Sequence, residues 1–427
     1  MQYAHGAIQW LAADVATTVY TVSGLPFQPK ALRFYWFGLG SAVDAASATV
    51  HLRRGVGFAT GTADRRCVGS QDQDAAGTQV CVTGYRTDAV AMTLTSTPAA
   101  DGLLDLNSIT SDGFTLIVDD QAPADITIFW EAWGGADILA AATGEIAEPA
   151  GAGDQDYVVT GNIKPDVVMF AGTQETGSAQ VASRNDSELM VGFATGGRTS
   201  ENVVVEGNSD DGSATSDTDG YCKTGECIAH IPVAGAATTN ARALLTQFNG
   251  DGFRLNWIER GVTGRKNIYL AIKGGVWQAG ALTIAGNSGG ATATVSGLAF
   301  TPIGVSLIGC MTAEQSADST TAEDRVALGS GSSTSSRRTQ GGWSEHGMGT
   351  AAEVDLIVEY DQVLAYPSAA GAVVGLKDIN AINVDGFQLI ADSADGVASE
   401  WIGWLAFGTV RFPEFHQAPY SPLEVVR

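Results

Sequence analysis

The side chains with the widest chemical reach in this chain are its five histidines, its five cysteines and one dense acidic loop. His5, His51, His230, His346 and His416 lie far apart in sequence. Only Glu345-His346, in the Gly-rich stretch 343–349, sets an acid beside an imidazole, and His230 falls in an apolar run and reads as structural. The loop from Asn208 through Asp210, Asp211, Asp217 and Asp219 to Gly220 offers the oxygen ligands calcium takes. It lacks the spacing and closing Glu of an EF-hand, so a solvated loop is its plain reading. The cysteines fall as Cys67 with Cys81, Cys222 with Cys227, and Cys310 alone. Oxidation would give two local disulfides and one spare thiol, and a reducing compartment would leave all five free; both stay open. Cys222-x4-Cys227 has no further Cys or His nearby to complete a zinc site. A glycosidase needs two placed carboxylates, and among 47 acids no pair stands out. No catalytic residue, metal or cofactor is expected.

The string Gly286-Asn287-Ser288-Gly289-Gly290 resembles the Gly-Asp-Ser-Gly-Gly segment around the nucleophile of trypsin-like proteases. That chemistry requires a His held by a carboxylate beside the serine. No His stands in a supporting motif, and Asn287 replaces the usual Asp, so a Gly-rich turn is expected.

Charge excludes more than these motifs propose. With 23 basic and 47 acidic residues the net charge is −24, which opposes contact with a phosphate backbone, so nucleic acid is not an expected partner. No apolar run approaches the roughly 20 residues of a membrane-spanning helix, and residues 1–14 carry no signal-peptide pattern; membrane insertion and export are not expected. Apolar residues make up 44 % of the chain and 53 of 427 residues are Gly, a balance that favours a turn-rich β-protein.

The elements that position everything else repeat. Asp-Gly-Phe occurs at Asp112-Gly113-Phe114, Asp251-Gly252-Phe253 and Asp385-Gly386-Phe387. Each copy has apolar residues three and six positions before the Asp (Ile109 and Leu106, Phe248 and Leu245, Ile382 and Ile379) and a Leu two after the Phe (Leu116, Leu255, Leu389). Val56-Gly57-Phe58 recurs as Val191-Gly192-Phe193, an offset of 191 − 56 = 135, and a further 135 points to Val326-Ala327-Leu328. Gly24 to Pro29, Gly161 to Pro165 and Gly297 to Pro302 form a third set. Three sets in one order imply internal triplication, with units at residues 1–138, 139–276 and 277–412 and an extended arm over 413–427.

Within a unit, short β-branched and aromatic runs bounded by Gly and Pro predict about eight strands. Asp-Gly is expected to supply positive backbone dihedrals and to begin a closing hairpin, whose first strand is 114–118 and whose return strand is 126–133 in the first unit. Trp130, Trp133, Trp257, Trp401 and Trp404 are expected in cores. The polar segments 62–84, 197–220 and 332–342 read as variable surface loops. The fold class is therefore all-β: three tandem β-sandwiches, of jelly-roll type as one option, plus the C-terminal arm.

A Gly-rich, lysine-poor chain with these Pro, Val-Gly-Phe and Asp-Gly-Phe landmarks, and unit-closing strands ending in Gly-Gly, resembles the repeat-built virion proteins of tailed bacteriophages. The resemblance implies a non-enzymatic structural component of the particle, in the tail, fibre, adaptor or capsid-decorating class, located in the virion. Its partners would be other virion proteins and copies of itself, with Phe412, Phe415, Tyr420 and Leu423 as apolar contacts of a docking arm. The alternative is a tail-tip protein that binds a receptor or host surface glycan through the variable loops.

Overall fold

A computed structural model of the chain describes residues 1–49, 51–73, 80–96, 98–177, 180–184, 187–196, 200–208, 212–231, 238–315, 321–322, 324–347, 354–368 and 371–410. The described residues form an all-β structure of 33 strands in six antiparallel sheets, and no helix among them is long and apolar enough to cross a membrane.

The strands fall into three successive groups of eleven. The first comprises β1 (Gln2–Trp10), β2 (Val19–Val22), β3 (Pro29–Trp36), β4 (Ala45–Thr49), β5 (His51–Gly61), β6 (Asp64–Gln73), β7 (Val80–Arg86), β8 (Ala91–Thr95), β9 (Ala99–Thr110), β10 (Gly113–Asp120) and β11 (Ile126–Gly134). The second comprises β12 (Ile138–Ala147), β13 (Gly153–Val158), β14 (Val167–Gly172), β15 (Gln180–Arg184), β16 (Ser187–Ala194), β17 (Glu201–Asn208), β18 (Thr218–Thr224), β19 (Ile228–His230), β20 (Ala241–Asn249), β21 (Gly252–Glu259) and β22 (Lys266–Gly274). The third comprises β23 (Val276–Ile284), β24 (Thr292–Val295), β25 (Phe300–Gly309), β26 (Thr321–Ala322), β27 (Asp324–Ser333), β28 (Ser336–Ser344), β29 (Val354–Glu359), β30 (Leu364–Ser368), β31 (Ala372–Asn383), β32 (Gly386–Ala391) and β33 (Glu400–Val410).

Each group builds one large and one small sheet in the same order. The first gives β1-β11-β3-β5-β6-β7 and β2-β10-β9-β8, and the other two repeat this with their own strands. Every large sheet then gains a seventh strand from another group, and it is always that group's fourth. β15 adds to β7, β26 adds to β18, and β4 returns to add to β29. Donation therefore runs in a closed circle.

The inner strands of the large sheets are buried on both faces, which explains the near-continuous apolar runs of β3, β11, β14 and β22. In β11, Ile126, Ile128, Trp130 and Ala132 pack toward the small sheet of the same group, while Phe129 and Trp133 enter a central core. That central core draws Tyr35, Phe58 and Trp133 from the first group, Met169, Phe193 and Leu270 from the second, and Leu328, Leu356 and Phe407 from the third. Three further cores lie between the large and small sheets of each group. All five tryptophans expected in cores are buried.

Three expectations need correction. Each group has eleven strands, not about eight; among the added ones, β6 and most of β7, β17 and the start of β18, and most of β28 lie in the supposed loops 62–84, 197–220 and 332–342. By its apolar pattern and its place ahead of the third Asp-Gly-Phe, 354–360 is expected to be the counterpart of 89–94 and 227–231, yet it belongs to a large sheet as β29; the counterpart of β8 and β19 is β30. The closing hairpin does not form, since β10 and β11 lie in different sheets and the chain crosses between layers after Asp120.

Candidate functional site at the strand-exchange seams

The Asp-Gly-Phe copies turn the hairpins β9/β10, β20/β21 and β31/β32. The flanking apolar residues are direct cross-strand partners: Phe114 faces Ile109 and Leu116 faces Leu106, with the same pairs at Phe253/Phe248 and Leu255/Leu245, and at Phe387/Ile382 and Leu389/Ile379. Spacing of three on one strand against two on the other is absorbed by a β-bulge at the same place in all three hairpins. Gly113, Gly252 and Gly386 do not adopt positive φ. Their requirement is space: an added Cβ would fall 1.9, 1.9 and 1.8 Å from the carbonyl oxygens of Val22, Tyr157 and Val295 on the adjoining strand. The carbonyls of Asp112, Asp251 and Asp385 accept from the N–H groups of Leu25, Val159 and Leu298, each at 2.9 Å. The three Phe rings are fully buried and meet neighbouring aromatics edge-on, Phe114 against Trp130, Phe253 against Tyr269 and Phe387 against Trp404.

The Val-Gly-Phe glycines obey the same physics and correct the third match. A Cβ on Gly57 or Gly192 would meet the carbonyl of Val90 at 1.8 Å or of Cys227 at 2.0 Å. The third residue so constrained is Gly329, 1.7 Å from the Val363 carbonyl. Gly57, Gly192 and Gly329 pair with Phe34, Phe170 and Leu307, each five residues beyond the Pro of its group. Constant offset had pointed to Ala327, two residues away.

The polar residues that sequence assigned to loops meet where the groups join. At the first seam, Arg54 of β5 contacts Asp72 of β6 at 3.3 Å and Glu206 of β17 at 2.7 Å, all fully or almost fully buried, and Ser187 donates to Asp72. At the second, the Asn202 side chain donates to the carbonyls of Gly280 at 2.6 Å and Trp404 at 2.9 Å, and Asn208 donates to Ser344 Oγ at 3.1 Å. Thr224 donates its N–H to Glu314 at 3.0 Å, and Lys223 Nζ lies 3.4 Å from the same carboxylate.

The third seam closes the circle. Gln340 accepts the Phe37 N–H at 2.8 Å and donates to the Thr127 carbonyl at 2.8 Å. Arg338 donates to His5 Nδ1 at 3.1 Å, which leaves the His5 proton on Nε2, facing Ser336 Oγ at 3.1 Å. Burial, reinforced by the Arg338 charge, pushes the His5 imidazole down to about 3. At the end of β4, Asp44 accepts the Tyr360 N–H at 2.7 Å, and the carboxylate oxygens of Asp44, Glu359 and Asp361 lie within 4.8 Å of one another. Burial, then the charges of Asp44 and Asp361, push the Glu359 carboxyl up to about 8. Sequence reasoning missed this trio, in which Asp44 stands 359 − 44 = 315 residues from Glu359, across the seam.

The remaining candidates are placed plainly. All five cysteines are free and buried, and Cys310 lies beside Cys222 across the second seam; burial, with Cys222 next to it, pushes the Cys310 thiol up. His230 is buried between Glu188 and Asn267, the latter at 3.0 Å. Burial raises the Glu188 carboxyl, but His230, the Arg265 charge and the Ile231 N–H together outweigh it and leave the group low. Ser288 lies in an exposed turn and donates to the Gly289 carbonyl, with no His contacting it among the described residues. His346 Nδ1 accepts the Thr218 N–H at 3.2 Å, so the Glu345-His346 loop packs on the described part of the acidic loop. Residues 209–211 of that loop, and Phe412, Phe415, Tyr420 and Leu423 of the arm, lie outside the described residues.

No protein-family model matches the chain, and no curated protein is significantly similar to it.

Proposed function

We propose that the chain is a non-enzymatic structural component of a bacteriophage particle, in the tail, fibre or capsid-associated class, acting through contacts with other virion proteins and copies of itself. The observation that supports this reading is the closed circle of donated strands. It ties three sandwich-like bodies into one block around a shared core, a build suited to bearing load and presenting fixed faces. We read the three strand groups as copies of one ancestral unit, since their strand orders coincide and their Asp-Gly-Phe turns sit at one place. Pairing of first with last strand in one sheet, and second with second-last in the other, follows the outer wrap of a jelly roll; β3-β5-β6-β7 inside it is a meander.

Locating the tagged chain by imaging within purified particles tests the reading; its absence from the particles would overturn it. Removing residues 413–427 is expected to weaken incorporation, and unchanged incorporation would refute the docking arm. A second reading, a receptor- or glycan-binding tail-tip protein, has one feature in its favour: a cleft of about 470 Å³ between the first and second groups, lined by Gln28, Lys30, Thr60, Thr62, Ile109 and Ala141. Saturable binding on a glycan array, abolished by Lys30→Ala with Thr60→Ala, would favour it.

A further inference from the structure

The third seam is built like the second, with one reversal of charge. In both, an acid leading into the donated strand accepts the backbone N–H at the end of the acceptor strand: Glu314 from Thr224, Asp44 from Tyr360. In both, the residue just before that N–H donor faces the acid. At the second seam it is Lys223, whose ammonium neutralises Glu314. At the third it is Glu359, and Asp361 adds another carboxylate.

Glu359 is the second, separate observation. It is 7 % exposed, and its carboxyl receives no hydrogen bond from an N–H or a non-acid O–H among the described residues. With its side chain largely covered and two other carboxylates converging on it, Glu359 is repelled by both unless a cation stands between them. Asp44 and Asp361 are exposed, so the space between the three groups is open to ions from solvent.

We propose that Asp44, Glu359 and Asp361 together bind one hard divalent cation, Ca²⁺ or Mg²⁺, and that this ion does at the third seam what Lys223 does at the second. The donor set contains carboxylate oxygen only, which suits these ions and not zinc or copper. Asp44 belongs to the donated side and Glu359 and Asp361 to the acceptor side, so the ion pins β4 onto β29 and holds the circle shut. The proposal stands independently of the phage reading.

The test uses the full chain, stripped with chelator and titrated calorimetrically with CaCl₂ and, separately, MgCl₂. One saturable site per chain is expected, with Kd between about 10⁻⁶ and 10⁻³ M for the preferred ion, and a higher melting temperature in its presence. Asp44→Asn and Glu359→Gln should each weaken binding at least tenfold and leave a protein that melts cooperatively without the ion. Glu359→Lys, which copies the second seam, should abolish binding and make melting indifferent to chelator. Should a substitution at buried Glu359 prevent folding, Asp361→Asn on an exposed residue supplies the same comparison. No saturable heat from the unsubstituted chain up to about 10 mM of either ion would overturn the proposal. Binding that persists within twofold in Asp44→Asn and Asp361→Asn would also overturn it, by placing the ion elsewhere, as in the 208–220 loop.

Discussion

Arg33 and Glu131 pair at 2.9 Å across neighbouring strands of one sheet, with neither side chain exposed. The other Glu131 oxygen takes the hydroxyls of Tyr3 at 2.9 Å and of Ser306, from the third group, at 2.5 Å. Removing one member leaves a charge buried in the central core. Glu131→Ala is therefore expected to cost about 3–5 kcal/mol in urea unfolding, and Arg33→Leu with Glu131→Leu to recover most of it. A single substitution as mild as the double one would refute this account.

Gly329→Ala drives a methyl group into the Val363 carbonyl and should destabilise by at least about 1–3 kcal/mol, as should Gly57→Ala and Gly192→Ala. Ala327→Gly should cost only roughly 0.5–1 kcal/mol. Melting temperatures of the four variants check whether register or constant offset identifies equivalent positions.

His5 makes the third seam sensitive to acid. Its folded pKa lies near 3, below the ordinary 6.5, so between those values the unfolded chain binds more protons. The stability due to His5 is complete above about pH 6.5 and is lost as pH falls toward 3. Tyr3 stacks on the ring, Arg338, Ser330, Ser332 and Ser336 surround it, and Glu131, its cross-strand partner, is taken up by Arg33, Tyr3 and Ser306, so among the described residues no acid bonds the ring to stabilise an imidazolium. Melting temperature against pH should fall less steeply over this range in His5→Gln than in the parent; identical slopes would refute the assignment.

Much of each sandwich was legible because its own core is apolar. The Asp-Gly-Phe hairpins announced themselves through Leu106, Ile109, Phe114 and Leu116, and even the bulge is written in their unequal spacing. The seams were illegible for the opposite reason. β6 reads Asp-Arg-Arg-Cys-Val-Gly-Ser-Gln-Asp-Gln, a sequence that hydropathy assigns to solvent, yet Ser70, Gln71 and Asp72 are buried: Ser70 and Asp72 meet Arg54, Asp72 also accepts from Ser187 of the second group, and Gln71 accepts from Arg53. β4, Ala-Ala-Ser-Ala-Thr, is too short and small to register as a strand, and its partner lies far along the chain. Asp44 and Glu359 become neighbours only through that pairing.

Ser47→Pro with Ala48→Pro tests the donated strand directly, since one of two consecutive prolines must remove a ladder donor. With β4 displaced, the edge of β29 is bare, and edge-to-edge association of chains is expected in light scattering together with a lower melting temperature. A monodisperse variant with unchanged melting would mean that β4 contributes little.

The direction of donation also sets a timetable for synthesis. β15 and β26 emerge after the strands that receive them, β7 and β18, so each can pair as soon as it leaves the ribosome. β4 emerges first and its acceptor follows 354 − 49 = 305 residues later. At about 5–20 residues per second that is a wait of roughly 15–60 s, during which a nascent chain carries an unpaired strand. Ring closure is thus a late act of translation-coupled folding, and on crowded polysomes the early strand of one chain has time to meet the finished β29 of another.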